Sequence, residues 1–132
     1  MRFTHAIWDF DGTLFDSYPV MAAAFHNALM EWGIDEPIDA IHAYMKISMG
    51  DALRHYQEQY RLSEDFSARY KSLGKSAERG NIIPFAGVAE LCKAIRQSGG
   101  SNYLLTHRGE SAVFFMEKYG LLANFTELVT SK

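Results

Sequence analysis

The chain has 132 residues, with 13 Lys and Arg against 16 Asp and Glu and a formal net charge of −3 at pH 7; this length fits one compact unit with a small insertion and excludes two large domains. The acidic balance and the lack of a basic arm argue against holding nucleic acid by phosphate neutralisation, and 48% hydrophobic with 14% aromatic residues is too apolar for disorder. A single cysteine, Cys92, excludes an intrachain disulfide and a cysteine-rich metal site and fits a reducing compartment, and no window approaches the roughly 18 apolar residues of a membrane span, so a soluble cytoplasmic protein with neither nucleic-acid nor membrane partners is expected.

Phe3 to Phe10 carries Ile7, Trp8 and Phe10 and runs into Asp11-Gly12-Thr13, which predicts a buried strand ending in a turn. Ser17 is placed to cap a helix with Pro19 in its first turn and an apolar run from Val20 to Trp32, stopped at Gly33. Three further helices are predicted: Ile38, Ile41 and Met45 share a face; Leu53, Tyr56 and Tyr60 follow Asp51 as a cap; Phe66, Tyr70 and Leu73 follow Ser63 and end at Gly74. Phe25, Met30, Trp32, Tyr44, Met45 and Tyr56 read as the core of a small helical bundle.

After Pro84 and Gly87 the pattern changes. Val88, Leu91, Cys92 and Ile95 recur at i, i+3, i+4 and i+7 before Gly99-Gly100, a bounded amphipathic helix that leaves Cys92 as an inert buried thiol. Tyr103 to Thr106 predicts a strand, Glu110 to Tyr119 a helix ended by Gly120, and Glu127 to Thr130 a last strand. Strand, helices, strand, helix, strand is the order of an α/β unit with parallel strands, interrupted after its first strand by a helical insertion.

Asp9-Phe10-Asp11-Gly12-Thr13 falls where a strand gives way to a loop, at the carboxyl edge where open α/β sheets bind ligands. Two carboxylates at i and i+2 can enter one cleft once the chain turns, and Gly12 supplies the freedom for the turn. One carboxylate can then serve as nucleophile or metal ligand while the other acts as general acid and base.

The segment IWDFDGTLFDS resembles motif I of the haloacid dehalogenase-like phosphohydrolases, and YLLTHRG, with Thr106 as its hydroxyl residue, resembles motif II. The likeness extends over essentially the whole chain and is nearest to the phosphoglycolate phosphatase and β-phosphoglucomutase branch. It implies a partial Rossmann-like core, 1–16 and 81–132, with a helical C1 cap inserted at 17–80. It also implies a small phosphomonoester as substrate. Asp9 would attack phosphorus to give an aspartyl-phosphate, Asp11 would protonate the leaving oxygen and then activate water, and Thr106 would hold a phosphoryl oxygen. Mg²⁺ is implied, held by the Asp9 carboxylate and the Asp11 backbone carbonyl, with Gly12 and His107 offering backbone N–H groups to phosphate. In the cap, Lys46 and Arg54 stand where relatives select substrate, and Arg108 is a candidate partner for phosphate; Asp16 reads as a cap or hinge group.

The family's motif III, a lysine commonly followed by proline, and its motif IV, an acidic pair, do not occur in the sequence after Thr106. NFTELVTSK resembles the segment just before motif III, so Lys132 is not expected to be that lysine, and the chain is expected to be the N-terminal part of a longer phosphatase with impaired activity on its own. The motif I strand would then be a sheet edge, open to self-association. A phosphomutase of the same family and a catalytically silent binding or regulatory domain are the alternative readings.

Overall fold

The computed structural model describes residues 4–131. In chain order its elements are β1 (His5–Trp8), α1 (Tyr18–Glu31), α2 (Ile38–Ile47), α3 (Met49–Tyr60), α4 (Glu64–Asn81), α5 (Val88–Gln97), β2 (Ser101–Leu105), α6 (Glu110–Lys118), a 3-10 turn (Leu122–Asn124) and β3 (Glu127–Val129). Two compact units result: one from the residues up to Asp16 together with those from Ile83 onward, the other from Ser17–Ile82.

The first unit is α/β. Its three strands are parallel and ordered β1-β2-β3, with Trp8 opposite Leu104 and Leu104 opposite Leu128. The mostly apolar β2, flanked by a polar turn on each side, is what a central parallel strand requires. Alternation along it sends Asn102 and Leu104 into the interior, both fully buried, and Tyr103 and Leu105 to the other face. On that second face Ile7, Leu105 and Val129 are 72%, 57% and 49% exposed, and β1 is an edge strand among the described residues. The interior is closed by Val88 and Cys92 of α5, Ala112, Phe115 and Met116 of α6, and the loop residues Phe10, Leu14 and Phe15.

The second unit is a four-helix arrangement around Phe25, whose ring lies 4.7 Å from Tyr70, 5.4 Å from Phe66 and 5.5 Å from Tyr56. Ile41 and Met45 of α2 are buried in the same cluster. Met30 and Trp32, expected in this core, are instead 48% and 39% exposed; Met30 sits near the C-terminal end of α1, and Trp32, just past it, flanks the core with its ring edge-on to Phe66 at 5.4 Å between centroids.

Several boundaries differ from the sequence expectation. The first strand is only His5–Trp8, and Phe3 lies outside the described residues. The cap of α3 is Ser48, whose hydroxyl accepts the Asp51 N–H at 2.9 Å, so Asp51 sits in the first turn, where its charge suits the helix dipole. Ser17 occupies the N-cap position of α1 without a side-chain capping bond. The fourth helix does not stop at Gly74 but continues to Asn81. A glycine inside a helix costs only about 1 kcal/mol, which packing of α4 on α1 readily outweighs.

Candidate active site

The loop after β1 is built around one carbonyl. The Phe10 oxygen accepts the N–H groups of Thr13, Leu14 and Phe15 at 3.4, 3.1 and 3.0 Å, while the Gly12 N–H donates to the Phe15 oxygen at 2.8 Å. So tight a reversal needs a left-handed residue, and Gly12 supplies it with φ of 72°. Phe10 anchors the loop from inside: it is fully buried and stacked on Phe15 with centroids 4.3 Å apart. Asp9 and Asp11, on either side of that anchor, are left on the outer side of the loop. Asp9 is exposed, and its carboxylate accepts the Phe10 N–H at 2.8 Å.

The loop after β2 faces the same edge because the parallel register sets Trp8 beside Leu104, so Asp9 and Thr106 both leave the sheet at its carboxyl end. Thr106 is 9% exposed; its N–H donates to the Val129 oxygen of β3 at 3.0 Å, and its hydroxyl accepts the Arg108 N–H at 3.1 Å. The Arg108 guanidinium reaches across to Asp11: Nε lies 3.0 and 3.1 Å from the two carboxylate oxygens, and Nη2 lies 2.8 Å from the first. Nη1 meets the Ser111 hydroxyl at 3.3 Å, and the guanidinium carbon stands 4.7 Å from the centre of the Phe10 ring. The Ser131 N–H, donated to the Arg108 carbonyl at 2.9 Å, ties the chain beyond β3 to the same place.

Asn102 fixes this convergence from below. Its amide nitrogen donates to the carbonyls of Cys92 and Asn124, both at 2.9 Å, and its oxygen accepts the Trp8 indole N–H at 2.9 Å. One fully buried side chain therefore joins β1, α5 and the 3-10 turn to β2.

Of the residues singled out from the sequence, Asp9, Asp11, Gly12, Thr106, His107 and Arg108 gather in the α/β unit. Gly12 serves the turn, its N–H donating to the Phe15 oxygen at 2.8 Å. His107 is exposed in the loop after Thr106. Arg108, expected beside substrate, is engaged with Asp11. Lys46, in the last turn of α2, and Arg54, paired with Asp51 at 2.9 Å, belong to the helical unit and are exposed. Lys132 lies outside the described residues. Ser111 and Asn102 were not singled out; an amide in the middle of an apolar strand was the available signal for Asn102. Cys92 is buried and free, and burial pushes its thiol up to about 11, so it is no nucleophile at neutral pH.

Among the described residues no group of three or more His, Cys, Asp or Glu side chains gathers as a cation site. The oxygens present nonetheless suit Mg²⁺, which binds through one or two carboxylates and keeps several waters. Asp9 offers an exposed carboxylate, and Asp11, its side chain committed to Arg108, would offer its main-chain oxygen.

A family model for haloacid dehalogenase-like hydrolases matches residues 6–132. The chain belongs to that family. A hydrolase from Streptococcus pneumoniae TIGR4 is 32% identical, with a TM-score of 0.73 over 98% of this chain and 67% of the other. A predicted phosphoglycolate phosphatase from Haemophilus somnus 129PT shares the fold at 17% identity, with a TM-score of 0.77 over 100% of this chain and 64% of the other. A haloacid dehalogenase-family hydrolase from Deinococcus radiodurans R1, solved with bound phosphate and sodium, shares it at 20% identity, with a TM-score of 0.74 over 97% of this chain and 58% of the other. The chain thus spans 58–67% of the length of these three structures. No curated protein matches it in sequence. No helix among the described residues of this haloacid dehalogenase-like chain is long and apolar enough to cross a membrane.

Proposed function

We propose that this haloacid dehalogenase-like chain carries the nucleophile half of a Mg²⁺-dependent phosphomonoesterase acting on a small phosphate ester, such as a phosphoglycolate-like acid. The observation that carries this reading is the meeting of Asp9 and Asp11 with Thr106 at the carboxyl ends of two adjacent parallel strands. Asp9 has the exposed carboxylate, so it is the group that attacks phosphorus; the P–O ester bond breaks and an aspartyl-phosphate forms on Asp9. Asp11 donates a proton to the departing ester oxygen. It then takes one from the water that attacks the same phosphorus, releasing inorganic phosphate and restoring the Asp9 carboxylate. The Thr106 hydroxyl accepts from Arg108 and keeps its own proton to donate to a phosphoryl oxygen. Mg²⁺ held at Asp9 and the Asp11 main-chain oxygen supplies charge neutralisation when bound.

Phosphoryl transfer depends on positioning and on cations placed against the developing charge. The lysine and acidic pair of the family pattern are not among these 132 residues, so a polypeptide of residues 1–132 is expected to hydrolyse p-nitrophenyl phosphate slowly. A polypeptide extended through a Lys-Pro and an Asp-Asp of a relative is expected to turn it over readily with Mg²⁺ and to lose that turnover in EDTA. Equal turnover by the two polypeptides would remove the basis of the reading.

A further inference from the structure

The Asp11–Arg108 pair spans 97 residues of sequence. Surface arginines that capture phosphate are free to swing; this one is held on three sides. Its fork lies along the Asp11 carboxylate, its third nitrogen is on Ser111 in the first turn of α6, and its plane is near the buried Phe10 ring. Phe10 cannot yield, being stacked on Phe15 and in contact with Phe115 at 6.3 Å between centroids. The two side chains are only 11% and 21% exposed, which limits competition from water.

An aspartate side chain in a loop samples three staggered χ1 wells unless something selects one. We propose that Arg108 is the positioning residue for Asp11: its planar fork holds the carboxylate in one orientation before any metal or substrate arrives, and Ser111 and Phe10 hold the fork. The arginine that follows the motif II threonine thereby couples the β2 loop to the acid and base on the β1 loop. A group that must give a proton and then take one back gains from an orientation fixed in advance, because no reorganisation is left for the reaction step. The functional meaning of this restraint rests on the reading of Asp11 as acid and base; the restraint itself does not.

The test uses the whole chain, isotope-labelled and without metal. Three-bond couplings from the Asp11 carboxyl carbon to its backbone nitrogen and carbonyl carbon report χ1. The wild type is expected to show limiting values of a single rotamer, together with a slowly exchanging Arg108 Nε–H. Arg108→Gln is expected to bring the couplings to averaged values at an unchanged fold. Arg108→Lys is expected not to restore them, since an ammonium restores charge without the fork. Averaged couplings in the wild type, limiting values retained in Arg108→Gln, or full rescue by Lys would each overturn the proposal. Should the Gln variant fail to fold, the wild type and the Lys variant carry the same test. No turnover is measured, so a failed rotamer test leaves the hydrolase reading standing, and a locked rotamer alongside equal turnover by the short and the extended polypeptides counts against that reading alone.

Discussion

Truncating Asn102 to alanine tests the account of how the site is assembled. The side chain is fully buried and makes three hydrogen bonds at 2.9 Å, two as donor to the carbonyls of Cys92 and Asn124 and one as acceptor from Trp8. At a net worth of about 1 kcal/mol per neutral bond, their loss costs about 3 kcal/mol, and the stranded indole N–H and Asn124 carbonyl push the figure upward. This is a large part of the 5–15 kcal/mol that holds a typical domain together. Because the chain forms two units, global unfolding would blend two transitions, so amide hydrogen exchange at Tyr103 and Leu104 is the right assay. Exchange there is expected to accelerate roughly a hundredfold, as about 3 kcal/mol implies, while amides of the helical unit around Phe25 stay unchanged. Asn102→Asp keeps the acceptor for Trp8 but loses both donors and buries a charge, so it is expected to be at least as damaging. A change below about threefold in the alanine variant would refute the reasoning, since it would mean the three bonds contribute almost nothing net.

Other expectations follow from single residues. Replacing Asp9 by Asn removes the nucleophile and is expected to lower Mg²⁺-dependent hydrolysis of p-nitrophenyl phosphate by ~10³-fold or more in an extended chain, read as initial rates. Two glycines should respond oppositely to alanine. A Cβ at Gly74 meets nothing within 4 Å, so Gly74→Ala is expected to stabilise α4 by about 0.5–1 kcal/mol; a Cβ at Gly100 would stand 2.9 Å from the Thr4 carbonyl oxygen, so Gly100→Ala is expected to destabilise the sheet by about 1–3 kcal/mol, each read by amide hydrogen exchange within its own unit. Burial raises the Cys92 thiol from 9.0 to about 11, so the fold favours the neutral thiol. Stability from this source is full below pH 9 and declines as pH rises from 9 towards 11, and the decline is expected to be smaller in Cys92→Ala when the unfolding transition of the α/β unit is compared at pH 8 and pH 10.5.

The order of elements was legible from the sequence because each carries its own local signal. The apolar period of α5, the short apolar β2 between polar turns and the Asp-Gly turn after β1 are fixed within a few residues of chain. The same holds for the placing of Asp9, Asp11 and Thr106 at strand ends. Local signals misled where packing outweighs them. Gly74 looks like a helix stop, yet α4 runs through it because α1 lies along it; Met30 and Trp32 look like core but end up 48% and 39% exposed at the C-terminal end of α1, Trp32 only flanking the core through its contact with Phe66.

The sequence by itself determined the chemistry of the parts: two carboxylates at i and i+2 on a turning strand end, a hydroxyl at the end of a second strand, and a family whose pattern they match. Which cation meets which carboxylate was decided only by tertiary structure. Arg108 and Asp11 lie 97 residues apart, and their contact depends on the parallel register of β1 and β2, the Asn102 bonds beneath it and the Phe10 ring beside it. No window of sequence contains all of those terms, because the contact is set by the sum of long-range burial and hydrogen bonding rather than by any local preference.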